Sequence, residues 1–100
     1  MSYRIVPSKR FLKAMKKYAT GGKRYLLEAA EEAIHLLSLH DDNALRTLTQ
    51  HWHDHELKGN KQGIRELHIG ADDLILYRTH AATSTIELLD IVSHEELRNN

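Results

Sequence analysis

Midway along the chain the spacing of apolar residues changes from helical to alternating, and this confines the fold to helices layered on a sheet. In the first half, Phe11, Leu12, Met15, Tyr18 and Ala19 recur at helical spacing and define one buried face. Ser8 precedes them as a candidate N-cap, and Pro7 and Leu12 are placed to form a weak hydrophobic staple. Gly21-Gly22 stops that helix. A second helix is predicted from about Lys23 to His40, with Leu26, Ala29, Ala30, Ala33 and Leu37 as its inner stripe, widened by Ile34 and Leu36. Glu28, Glu31, Glu32 and His35 mark its wetter side. The short glycine link makes the two an antiparallel hairpin.

Before and after this hairpin the pattern reads as extended. Tyr3 to Val6 is a short strand candidate ending at Pro7. Residues 41–54 are polar and mixed, and are expected to form a short helical turn plus loop with Leu45 and Leu48 at least partly buried. His55 to Lys58 and Ile64 to Ile69 follow as strands, the second with Arg65, Leu67 and Ile69 on one face and Ile64, Glu66 and His68 on the other. Gly70 to Asp73 turns the chain into a third strand, Leu74 to Thr79, whose apolar run implies burial on both faces. Ala81 to Ser84 turns again before a fourth strand, Thr85 to Val92. Ser93 caps a last short helix, with Glu96 completing a capping box. The expected class is α+β: an N-terminal strand and helical hairpin packed on one face of a curved antiparallel sheet of about four strands, plus a short C-terminal helix.

Composition narrows the function classes. The 100 residues are read as a single domain, 1–100, that buries roughly 60–65% of the unfolded chain's surface. With no cysteine there are no disulfides and no thiolate metal sites. No apolar run approaches the roughly 18–20 residues of a membrane span, and the first residues lack the apolar region of a signal peptide. A cytoplasmic domain with no membrane partner is expected. The zero net charge hides an uneven distribution. Residues 1–24 carry Arg4, Lys9, Arg10, Lys13, Lys16, Lys17, Lys23 and Arg24 and no acid, while the last third is acid-biased. A basic end of this kind either steers phosphates and acidic partners or is a solvated helix face.

The segment from His51 to His68 carries the chemistry. Its two halves read as strands joined by a turn, which brings His55, Lys58, Arg65 and His68 near one another at a sheet edge. Imidazoles beside cations serve a metal-free ribonuclease or a phosphate-binding surface equally well. RNA cleavage needs a base for the 2′-hydroxyl, a cation for the crowded phosphate and an acid for the leaving oxygen, and histidine can act as base or acid. On a strand, His51, His53 and His55 would share a face as a metal trio. The order of residues does not match a His-x-His-x-Asp-His signature, so no metal or other cofactor is expected. Bland readings stand beside these: His68 as a half-buried strand residue, Arg65 as a structural ion-pair partner, and Tyr77 and Trp52 as packing groups. His35, His40 and His80 read as surface or helix-end residues.

Taken in order, His55-Glu56-Leu57-Lys58-Gly59, Gly63-Ile64-Arg65-Glu66-Leu67-His68, Asp72, Leu74-Ile75-Leu76-Tyr77 and Ser93-His94 resemble the RelE/ParE superfamily of type II toxins, most of all its YafQ branch. The resemblance implies a ribosome-dependent mRNA endonuclease that inhibits translation by metal-free acid–base cleavage. It implies as partners the ribosome, mRNA and a cognate ribbon-helix-helix antitoxin of the RelB/DinJ kind, with operator DNA reached only through that antitoxin. By resemblance His55, His68, Asp72 and His94 match the branch's catalytic positions. His94 and His68 are then the proton-transfer groups, His55 and Asp72 orient or assist, and Asp72 is an alternative base. Lys58, Lys61, Arg65, Arg98, Lys13, Lys16 and Lys17 are the expected RNA- and phosphate-binding residues, and the basic helix with the edge near Lys58 and Lys61 is the expected antitoxin surface.

The chain also departs from the branch. Asp90 stands where the branch carries an arginine, Arg98 where an aromatic is usual, and Asp73 where a hairpin tryptophan is found. A carboxylate repels a phosphate, so Arg98, Arg65 or Lys58 become the candidate replacement cations. Two alternatives follow: a catalytically weakened module that acts with its antitoxin as operon co-repressor, and a ParE-like gyrase inhibitor. The histidines argue against the second.

Overall fold

Ser8 turns the chain from its first strand, β1 (Arg4–Pro7), into its first helix, α1 (Lys9–Thr20), by accepting the Phe11 N–H on its hydroxyl at 3.0 Å. The computed structural model describes residues 2–57, 59 and 63–98, the last by its backbone alone. Gly22, at a φ of 80°, makes the tight exit from α1 that a side chain would strain. The second helix, α2 (Arg24–Leu39), buries Leu26, Ala30, Ala33 and Leu37, one stripe at helical spacing. It ends at His40, whose left-handed backbone lets its ring stack on Tyr3 with centroids 3.8 Å apart.

The stretch read as a turn and loop is a full helix, α3 (Asp42–His51). Asp41 caps it by accepting the Ala44 N–H at 2.7 Å, and Ala44 and Leu48 are buried. A stripe this narrow among polar residues is a weak periodic signal, and packing against α2 is what stabilises it. The helix also ends the metal-trio geometry: His51 is helical, His53 sits in a left-handed bend, and only His55 lies on a strand.

The strands β2 (His55–Glu56), β3 (Arg65–His68), β4 (Asp73–His80) and β5 (Thr85–Ser93) form an antiparallel meander, and α4 (His94–Arg98) follows. The fold class is α+β as expected, with a sheet of five strands in the order β1-β5-β4-β3-β2. The sheet is mixed, because β1 joins it parallel to β5, pairing Arg4 with Thr85 and Pro7 with Leu88. The three helices between β1 and the meander form part of the long crossover that a parallel pair requires. Leu67, Ile75, Tyr77, Ile86, Leu88 and Ile91 meet Phe11, Leu26, Ala33, Leu37 and Leu48 in one core. Among the described residues no helix is long and apolar enough to cross a membrane.

Candidate active site

Alternation along β3 sorts its side chains into two environments. Arg65 and Leu67 go with the helix-covered face, where Leu67 is fully buried. Arg65 Nε bonds Asp54 Oδ1 at 3.1 Å and the Tyr77 hydroxyl at 3.3 Å, and Tyr77 in turn donates to Asp54 Oδ2. The Asp54 side chain is only 4% exposed, so it depends on these donors. Burial alone would favour a neutral guanidine at Arg65, but the Tyr77 bond and the Asp54 charge outweigh it and raise its pKa. Burial, then the Asp54 charge, raises that of the Tyr77 hydroxyl. Arg65 is thus an ion-pair partner on this face rather than a neighbour of the histidines, and Tyr77 is a packing residue with a satisfied hydroxyl.

Glu66 and His68 lie on the other face. His55 faces Glu66 across the β2–β3 pair, with Nε2 2.9 Å from Oε1, while His55 Nδ1 lies 2.7 Å from the His53 carbonyl oxygen. A carbonyl only accepts, so Nδ1 carries a proton. The contact of Nε2 with Glu66 is then a hydrogen bond only if ring and carboxylate share one proton more. Glu66 is buried, its Oε1 is 4.0 Å from His68 Nε2, and its Oε2 has no partner among the described residues. Sequence reasoning placed Glu66 on the face of His68 but assigned it no role.

His68 is the hub of the cluster. Its ring centroid lies 5.3 Å from that of His53, 6.3 Å from His55 and 5.1 Å from His94. Its main chain is pinned by its N–H, which donates to the Trp52 carbonyl at 2.8 Å and so joins the end of α3 to β3. Partial burial and then the neighbouring His94 charge push its pKa below the ordinary imidazole value, only partly offset by Glu66. His53 and His68 open on a groove of about 720 Å³ that also meets Thr47, His51 and Trp52.

His94 is brought in from the far strand. The capping box forms as the sequence implied: Ser93 Oγ accepts the Glu96 N–H at 3.1 Å, and Glu96 Oε1 accepts the Ser93 N–H at 3.0 Å. His94 N–H donates to the Asp72 carbonyl at 3.0 Å, and His94 Nδ1 lies 3.2 Å from Asp72 Oδ1. The turn before β4 thus sets both the main chain and the ring of His94, leaving Nε2 as its working atom. The structure therefore gathers His55, His68, Asp72 and His94, with His53 and Glu66 added.

The expected cations are distributed differently. Lys58 and Lys61 lie outside the described residues, as does the side chain of Arg98. Lys16 is exposed on α1, while Lys13 and Lys17 line a groove of about 220 Å³ with Arg10, Tyr18, Asp90 and Glu96. Asp90 Oδ2 pairs with Arg10 Nε at 3.0 Å. Asp73, on β4, accepts the Tyr18 hydroxyl at 2.6 Å, and burial followed by this bond raises the Tyr18 pKa. Among the described residues no three histidine, cysteine or acidic side chains converge as metal ligands.

Residues 3–99 match the model of a family described as a bacterial toxin of type II toxin–antitoxin systems, YafQ. Among solved structures, the chain is similar to a metal-bound toxin from Helicobacter pylori, with 29% identity and a TM-score of 0.78 over 97% of this chain and 99% of that one. It is similar in fold to YafQ from E. coli, at 19% identity and a TM-score of 0.74, covering 95% of this chain and 97% of that one. The E. coli DinJ–YafQ toxin–antitoxin complex gives 21% identity and a TM-score of 0.76, over 97% and 98% of the respective chains. No curated protein sequence matches.

Proposed function

The chain belongs to the family of bacterial YafQ toxins of type II toxin–antitoxin systems, and on that premise we propose that it is a ribosome-dependent mRNA endonuclease that stops translation. The observation that carries this reading is the packing of His68 against three other imidazoles, with His94 held by Asp72 and His55 by Glu66. In the reaction the 2′-oxygen of one nucleotide attacks the adjacent phosphorus and the bond to the 5′-oxygen breaks. The products are a cyclic phosphate and a 5′-hydroxyl, and one proton is taken up where another is released. His68, kept neutral by partial burial, takes the 2′-hydroxyl proton. His94, with Nδ1 on Asp72, delivers a proton to the leaving 5′-oxygen. Glu66 stabilises charge on His68, and His55, paired with Glu66, orients the cluster.

We also propose that a cognate antitoxin binds the chain and holds it inactive; a toxin–antitoxin complex among its structural neighbours supports a partner of this kind. We take this partner to be a ribbon-helix-helix protein that alone contacts operator DNA. The test is tightly controlled expression with and without the antitoxin encoded beside it. Growth arrest with codon-specific cuts in ribosome-bound mRNA is expected, abolished by His94→Ala or His68→Ala and by co-expressed antitoxin. Normal growth with intact transcripts, from soluble folded protein, sinks the proposal.

A further inference from the structure

A phosphodiester passing through a five-coordinate state gains negative charge and needs a positive group beside it. Around the histidine cluster the described side chains are mostly of the wrong sign: Glu66 and Asp72 touch it, and Glu96 lies two residues beyond His94. The sheet's own arginine in β3, Arg65, is tied to Asp54 on the opposite face. At first sight Asp90 makes matters worse. It stands opposite Leu76, which stands opposite Glu66, so all three share one cross-strand rung. With strands about 4.8 Å apart, the backbones of Asp90 and Glu66 are on the order of 10 Å from each other.

The partners of Asp90 reverse that impression. Its Oδ1 accepts the N–H of Ile91 at 2.8 Å, and its Oδ2 meets Arg10 Nε at 3.0 Å. Both carboxylate oxygens are therefore engaged. The Asp90 side chain is 17% exposed and that of Arg10 is 79% exposed, so the pair presents its cation, not its anion, to solvent. A guanidinium held by Nε keeps its terminal donors, which match two phosphate oxygens. Lys13 and Lys17 sit one and two turns further along α1 and share the groove with Arg10, Asp90 and Glu96. That groove runs from α1 past Asp90 and Ile91 to Glu96 in α4, the helix that begins at His94.

We propose that Arg10, positioned by Asp90, is the cation that meets the RNA phosphate at the histidine site, so that α1 supplies from outside the sheet the charge that β5 does not carry. The proposal rests on the endonuclease reading above. Asp90 acts through Arg10 as a positioning residue, and the Arg10–Lys13–Lys17 stripe leads the RNA backbone towards His68 and His94.

The full chain, refolded free of antitoxin, is assayed by single-turnover cleavage of ribosome-bound mRNA, and binding is read with the same message carrying a 2′-deoxy nucleotide at the cut site. Arg10→Ala is expected to lower the cleavage rate constant by about tenfold to a hundredfold, with a smaller change in binding and an unchanged thermal midpoint. Arg10→Lys recovers part of the rate. Asp90→Asn lowers it by about threefold to tenfold in the parent but changes nothing further in the Arg10→Ala background, the coupling expected of one residue acting through another. The reciprocal exchange, Arg10→Asp with Asp90→Arg, cleaves faster than Arg10→Asp alone. Cleavage at the parental rate by Arg10→Ala, or faster cleavage by Asp90→Asn, overturns the proposal while leaving the endonuclease reading intact. A parent protein that cuts no better than His68→Ala overturns both.

Discussion

His68 is where burial and chemistry meet in one side chain. Partial desolvation and the neighbouring His94 charge both disfavour its imidazolium, and Glu66 restores only part of the loss. Its folded pKa therefore lies below the ordinary 6.5. The sign of the stability effect follows: the group contributes fully above pH 6.5, where both states are neutral, and the contribution is lost as pH falls towards the folded pKa, because the unfolded chain binds the proton first. Proton NMR of the ring should show His68 titrating below pH 6.5, and the titration should move upward in His94→Ala, which removes the second-largest cause of the shift. A midpoint at or above 6.5 in the parent means that burial and His94 do not disfavour the charged ring in the way described. The sequence named His55, His68, Asp72 and His94, and the structure brings them together. In the sequence His53 figured only as part of a metal trio, and Glu66 had no role. The first comes beside His68 from a left-handed bend, and the second becomes central only because β2 pairs in the register that sets His55 against it.

At the scale of the element, α3 is the piece that the sequence understated and on which the site leans. Its last turn feeds directly into the loop that carries His53: Trp52 N–H and Asp54 N–H both donate to the Leu48 carbonyl, each at 3.1 Å, and the Trp52 carbonyl receives His68. Asp41→Ala should cost about 1 kcal/mol through loss of the cap. Leu48→Ala, at a fully buried position, should cost about 2–5 kcal/mol. Urea denaturation gives both values, and Leu48→Ala should also weaken contacts between the His53 and His68 rings in NMR spectra. An equal, small cost for the two substitutions means that α3 is a surface appendage and not the support of the site. By contrast α1, α2 and the capping box before α4 were legible, because each depends on signals within a few residues: Ser8 on Phe11, Ser93 with Glu96, and a stripe of buried residues at 26, 30, 33 and 37.

For the whole molecule, neutrality conceals a division of labour. Eight basic residues and no acid occupy positions 1–24, and α1 displays several of them along the groove it forms with Asp90 and Glu96. Binding of RNA should therefore weaken steeply with salt. Lys13→Gln and Lys17→Gln should each flatten the logarithmic salt slope by about 0.7, the increment for one contact to a single-stranded phosphate. An unchanged slope in both variants removes these lysines from the RNA track.

What the sequence determined by itself was everything encoded by short-range stereochemistry. Apolar period separates helices from strands, caps and glycines end them, and neighbouring strands joined by short turns pair antiparallel. The candidate histidine and aspartate positions came instead from the order of short motifs that resembles a toxin family. Only the tertiary structure decided that β1 lies parallel to β5, that Arg65 closes on a buried Asp54 and Tyr77, and that Arg10 reaches Asp90. Each of these is a contact between residues distant in the chain. Such contacts depend on strand register, on the helix crossover and on which polar groups burial forces together, and none of these leaves a periodic trace along the sequence.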